Sequence, residues 1–223
     1  MKKTVLFLTL TLILSSCVNI NVNGGKPVKC KGEVVEQAMD FSGFTGITVE
    51  GAATIDYVQA ESFKVLVTAN EEVFNYLDYS IRHNELVLST KDNVTIDAKV
   101  YKLLIEAPVI NQVIVEGAAD LNIPGGYKSE ENLEIEIDGA ARLNLSGVEL
   151  PVLDIAINGA GKFALNDINV DKLEIEVNGA GSGSVSGVAN YAKFIVAGTG
   201  RIDASALQCP NIEKHVEGLG IIK

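Results

Sequence analysis

A glycine followed by a small residue closes one β-like run after another at a nearly fixed interval, and this repeat limits the possible folds more than any other feature. Val115-Glu116-Gly117-Ala118 is followed by Ile137-Asp138-Gly139-Ala140, Ile157-Asn158-Gly159-Ala160, Val177-Asn178-Gly179-Ala180 and Val196-Ala197-Gly198-Thr199, with a weaker copy at Val216-Glu217-Gly218-Leu219. The glycines step by 22, 20, 20, 19 and 20 residues. Self-similarity at such a period is the signature of stacked repeats. An earlier copy, Val49-Glu50-Gly51-Ala52, stands apart, ahead of a longer irregular stretch.

Each unit alternates with a period of two. Before Gly139, Leu133, Ile135 and Ile137 are apolar while Glu134, Glu136 and Asp138 are polar; after it, Leu143 and Leu145 alternate with Arg142 and Asn144. That pattern reads strand, turn, strand. The next units repeat it with Leu153, Ile155, Ile157, Phe163 and Leu165, then Leu173, Ile175, Val177 and Val185. A unit this short cannot bury its apolar face alone, but stacked on its neighbours it builds a continuous core. The expected fold is all-β: a parallel β-helix, or solenoid, with coils of about 20 residues, stacked about 4.8 Å apart into a short column. Right-handed crossovers are the expectation. A sandwich or barrel of short strands is the competing architecture, but seldom keeps so fixed a register.

The ends differ in texture. Residues 1–16 combine Lys2 and Lys3, an apolar run from Val5 to Leu14, and Ser15-Ser16, the layout of a secretory signal. Leu14-Ser15-Ser16-Cys17 resembles the lipobox of bacterial lipoproteins, which implies acylation of Cys17 and a membrane anchor. Val18 is not the Asp associated with inner-membrane retention, and no acidic run follows Cys17. By resemblance to sorted lipoproteins, this points to the outer membrane and its periplasmic leaflet. Residues 17–36, rich in Asn and Gly, read as a tether, and residues 37–223 as the head domain. Within the head, strands are expected at Ile47–Val49, Phe63–Val67 and Leu86–Leu88, a short helix at Glu71–Leu77 and a turn at Ala60–Ser62.

Loss of Lys2 and Lys3 with the leader leaves 16 basic against 29 acidic side chains. So negative a chain is a poor partner for nucleic acid. Export leaves two cysteines besides Cys17, and an even pair in an oxidising compartment allows a Cys30–Cys209 disulfide. A solenoid tends to keep the start and end of its chain apart, so two separate thiols are the other reading.

Stacking would align residues one period apart. The position before the glycine carries Glu116, Asp138, Asn158, Asn178, Ala197 and Glu217, with Asn158 over Asn178 forming an amide ladder. Five before the glycine, Glu134, Asp154 and Glu174 make an acidic column. Three after it, Asp120, Arg142, Lys162, Ser182 and Arg201 make a mostly basic one, opening with an Asp120–Arg142 pair. The acidic column would repel itself unless solvent, lysine or a divalent cation intervened, and no Asp-rich loop with calcium-site spacing is present. The basic column suits an acidic glycan, while alternating salt-bridge partners account for it equally well. Glu116, Asp138, Arg142, Asn158 and Asn178 are the candidate ligand-facing residues.

The opening Phe41-Ser42-Gly43-Phe44-Thr45-Gly46-Ile47-Thr48-Val49-Glu50-Gly51, the run Ala107-Pro108-Val109-Ile110-Asn111-Gln112-Val113, and the Asn-Gly-Ala-Gly corners at 158–161 and 178–181 resemble the auto-transporter adhesin head, or GIN, domain. The resemblance covers roughly Met39 to the C-terminus. It implies an exported, often lipid-anchored protein of Bacteroides-like bacteria with a β-helical fold. Its motifs are structural corners, so it carries no binding or catalytic residues across. Asp138, Ala197 and Thr199 depart from the corner pattern.

Two functions are compatible with this pattern. The preferred one is a non-catalytic, lipid-anchored envelope module that binds glycan or protein, or acts as a scaffold. The alternative is a polysaccharide lyase or hydrolase, using carboxylates such as Glu116 and Asp138 with Arg142 in one groove. Those residues recur as repeat decoration, whereas a catalytic centre breaks the pattern. His83 and His215 lie far apart, and no zinc spacing, phosphate loop, nucleophile elbow or dinucleotide fingerprint occurs, so no catalytic residue, metal or cofactor is implied.

Overall fold

Each repeat becomes two strands meeting at its glycine. A computed structural model describes residues 27–91 and 94–223; the expected signal sequence and Cys17 lie outside the described residues. The chain forms a parallel β-solenoid of about 6 turns with coils about 20 residues long.

The strands before the corner glycines stack in parallel as one sheet. Its order is β7 (Glu85–Thr90), β3 (Gly46–Gly51), β10 (Gln112–Gly117), β12 (Leu133–Gly139), then the later parts of β14 (Glu149–Gly159), β15 (Lys162–Gly179) and β16 (Ser182–Gly198), ending with β18 (Asn211–Gly218). The strands after the corners stack as a second face: β9 (Tyr101–Ala107), β4 (Thr54–Gln59), β11 (Asp120–Ile123), β13 (Arg142–Ser146), the early parts of β15 and β16, β17 (Arg201–Gln208) and β19 (Ile221–Ile222). A third run of parallel pairings joins Leu150 to Val170, Val170 to Ala189 and Gly187 to Leu207.

Alternation decides which side chains go inside. The rows Leu133-Leu153-Leu173-Ala192, Ile135-Ile155-Ile175-Phe194 and Ile137-Ile157-Val177-Val196 are in register and fully buried. Burying each of the larger aliphatic side chains stabilises the fold by roughly 1.5–3 kcal/mol, so the column is held by rows rather than by any one contact. The corner glycines from Gly51 to Gly218 all have φ between +114° and +140°, a left-handed backbone that a Cβ disfavours.

Val49-Glu50-Gly51-Ala52, the detached copy, is part of the column. β3 pairs with β10 so that Gly51 lies against Gly117, although 66 positions separate them. Part of the chain between, joined by residues 34–39 from ahead of Gly51, folds back as the N-terminal cap. β6 (Leu77–Arg82) covers β7, β5 (Lys64–Asn70) covers β9, and β2 (Val34–Met39) covers β5, all antiparallel. Strands are found where Ile47–Val49, Phe63–Val67 and Leu86–Leu88 pointed to them, and the expected helix is a single 3-10 turn, Glu71–Asn75. Two strands fall within the expected tether: β1 (Pro27–Cys30) pairs with β8 (Thr95–Ala98), and β2 begins at Val34.

The disulfide that the cysteine count allows does not form. Cys30 is a buried free thiol in β1, beside the N-terminal cap, and Cys209 is a free thiol between β17 and β18 at the other end. The stack lies between them, well beyond the reach of a bridge. At that far end all of β18 is exposed, with Ile212 38% and Val216 42% accessible.

Candidate functional site

Residues that alternate outward form straight rows, because each coil keeps the register of the one below. In the row before the glycines, Asn158 donates from Nδ2 to Asp138 Oδ1 at 2.7 Å. Asn178 donates to Asn158 Oδ1 at 3.1 Å and to Glu176 Oε1 at 2.8 Å. The amide ladder read from the sequence is therefore present and continues onto a carboxylate. A second ladder, not anticipated, runs along the other face: Asn144 donates to Asn122 and Asn122 to Asp56, both at 2.8 Å. Asp56 belongs to the detached first coil, so its alignment depended on knowing that β4 pairs with β11.

The acidic column is also in register, and lysine relieves part of it. Glu174 accepts from Lys193 at 2.6 Å and pairs with Lys172 at 2.9 Å, and these two partners, Lys193 first, hold its carboxyl below the usual range. Asp154 is pushed up, chiefly by desolvation and then by Glu174 and Glu134 on the adjoining coils. Asp154 and Glu134 border an open basin of about 620 Å³ with Asn111, Gln112, Glu131 and Asn132. Among the described residues, no group of three or more His, Cys, Asp or Glu side chains converges as a metal site.

Glu116 stacks on Asp138 in the row before the corner, whereas Arg142 lies beyond the corner and donates to Asp120 at 3.1 Å. Glu116 and Asp138 thus stand on one side of the corner and Arg142, paired with Asp120, on the other. His83 and His215 are likewise apart: His83 sits in the tight β6–β7 turn, and His215 on terminal β18 contacts Glu217 at 3.0 Å.

The basic row is longer than the repeat indicated. Register carries it from Arg201 through Ser182, Lys162, Arg142 and Asp120 to Thr54 and then Lys102. At that end a notch of about 160 Å³ lies between the Lys99–Lys102 segment and the corner residues Ala52, Ala118 and Ala140. Lys99, Lys102 and Arg142 line it, with Asp120 the single carboxylate among the lining residues. Lys99 and Lys102 precede the regular repeat, so periodicity could not reveal them; Ala52-Ala53-Thr54, which copies the corner, was the available signal.

Taken together, these features define a parallel β-solenoid with polar ladders set in separate rows on its outer faces. The chain belongs to the family described as "Putative auto-transporter adhesin, head GIN domain", whose model matches residues 43–223. Crystal structures of three proteins share the fold. A putative lipid binding protein from Parabacteroides distasonis ATCC 8503 is 20% identical, with a TM-score of 0.79 over 88% of this chain and 98% of its own. A putative adhesin from the same organism is 21% identical, with a TM-score of 0.75 over 88% of this chain and 83% of its own. A putative adhesin from Bacteroides fragilis NCTC 9343 is 17% identical, with a TM-score of 0.70 over 88% and 99%. At these identities the likeness extends to the fold alone. No curated protein matches the chain.

Proposed function

We propose that this chain is a non-catalytic binding module of the bacterial envelope, anchored through acylated Cys17 in the periplasmic leaflet of the outer membrane, that holds an extended glycan along its stacked faces. The observation that carries the reading is the hydrogen-bonded Asp138-Asn158-Asn178 ladder. It fixes polar groups in a line with a repeat of about 4.8 Å, a surface suited to a polymer lying along the solenoid axis. The adhesin descriptions of the family and of two of the neighbours agree with such a role. Anchoring rests on the lipobox resemblance at Leu14–Cys17.

The test is a glycan-array screen of the mature chain carrying Cys17→Ser, with and without calcium, followed by a product assay on each glycan retained. Binding without turnover supports the reading. Turnover of a bound glycan would instead establish an enzyme, and no binding to any glycan would direct attention to a protein partner.

A further inference from the structure

We propose that the basic row is a binding seam for a linear acidic polysaccharide, carrying carboxylates or sulfates, that lies along the solenoid axis beside the corner. This rests on the glycan-binding reading and names the ligand class.

Salt bridges do not account for the row. Lys102, Arg142, Lys162 and Arg201 are all exposed and share one line of register, yet among the described residues its one ion pair is Arg142 with Asp120. Arg142 stacks directly on Lys162, and like charges placed opposite each other on adjacent strands destabilise a sheet. The acidic column shows the contrast, because there Glu174 has two lysine partners. A chain with a large acidic excess thus gathers cations along one seam, and an anionic ligand would relieve their repulsion.

The geometry suits an extended ligand. Six register steps separate Lys102 from Arg201, which at about 4.8 Å each gives a seam of roughly 29 Å. Beside it the residues after the corner glycines, Ala140, Ala160, Ala180 and Thr199, are small and exposed, so a polymer can lie close to the backbone. The Asn158 and Asn178 amides stand on the far side of that strip, within the same corner, where sugar hydroxyls can meet them. The notch between Lys99, Lys102 and Arg142 receives one end of the chain.

The test measures binding of polygalacturonate, dextran sulfate, neutral dextran and a single-stranded DNA oligonucleotide to the mature Cys17→Ser chain. The same measurements are made on a Lys162→Glu/Arg201→Glu double variant and on a Lys128→Glu/Lys64→Glu control, with circular dichroism confirming that each is folded. Expected is binding of an acidic polysaccharide that weakens with salt, falls at least about tenfold in the seam variant and stays near wild type in the control. Preference for polygalacturonate or for dextran sulfate assigns the anion as carboxylate or sulfate. Equal losses in both variants, or DNA binding as tight as the polysaccharides, would reduce the effect to overall charge and overturn the seam. Array binding confined to neutral glycans would overturn the seam while leaving the binding function intact. Failure of every glycan would remove both.

Discussion

Gly139 lies so close above Gly117 that a Cβ on Gly139 would stand 2.1 Å from the Gly117 carbonyl oxygen, the same oxygen that accepts the Ala140 N–H at 2.9 Å. The contact recurs from Gly117 up to Gly218, each glycine facing the carbonyl of the one below at 2.1–2.6 Å. The glycines are therefore required twice, by their left-handed φ and by the approach of adjacent coils. Gly51, at the start of the column, has φ +119° but nothing within 4 Å of its would-be Cβ. Gly139→Ala should accordingly destabilise by several kcal/mol, and Gly51→Ala by only about 1–2 kcal/mol from backbone strain. Urea unfolding of the two variants separates the effects; equal losses would mean that the close approach contributes nothing.

Asp154 should be a stability liability near neutral pH. Its carboxyl is pushed up by burial, and then by Glu174 and Glu134, so the folded state binds its proton more tightly than the unfolded chain does. The stabilisation this gives is complete below the unfolded value and is lost as pH rises through the folded one. Asp154→Asn should raise Tm at pH 7, with the gain shrinking as pH falls to about 3. Glu174→Gln should act in the opposite sense, lowering Tm at pH 7, because Lys193 and Lys172 favour the ionised form and their contribution disappears in acid. Thermal melts at the two pH values check both signs.

Lys214 should act as a stop on the solenoid. It continues the inward row Ile135-Ile155-Ile175-Phe194, taking the register position over Phe194 in the last coil. The edge of β18 is exposed over its full length, and a charge at an inward position is one way such an edge avoids pairing with another chain. Lys214→Leu should promote self-association, read as a concentration-dependent rise in mass by analytical ultracentrifugation, while the wild-type chain shows a smaller rise or none. Unchanged sedimentation would assign that protection elsewhere.

Cys17 should be the acylated residue. In cells fed radiolabelled palmitate, the wild-type chain should take up label and Cys17→Ala should not. Equal labelling of the two would refute the anchor.

The sequence determined by itself the coil length, the inward and outward residue sets and the positions of the corners, from Gly117 to Gly218. In a solenoid each coil meets its neighbour at a constant chain separation, so contacts between coils are written as a period. The Asn158–Asn178 and Asp120–Arg142 contacts were legible for the same reason. Only the tertiary structure decided that Gly51 closes onto Gly117, that β5 and β6 of the intervening chain, with β2 from ahead of it, cap the column as antiparallel strands, and that Cys30 and Cys209 stand at opposite ends. It also extended the basic row to Lys102 and showed that, among the described residues, Arg142 is the one cation of the row in a salt bridge. These features depend on pairings between segments of unlike sequence at irregular separations. Alternation gives the face on which such a residue lies, but its neighbour across the gap is set by the packing of the whole chain.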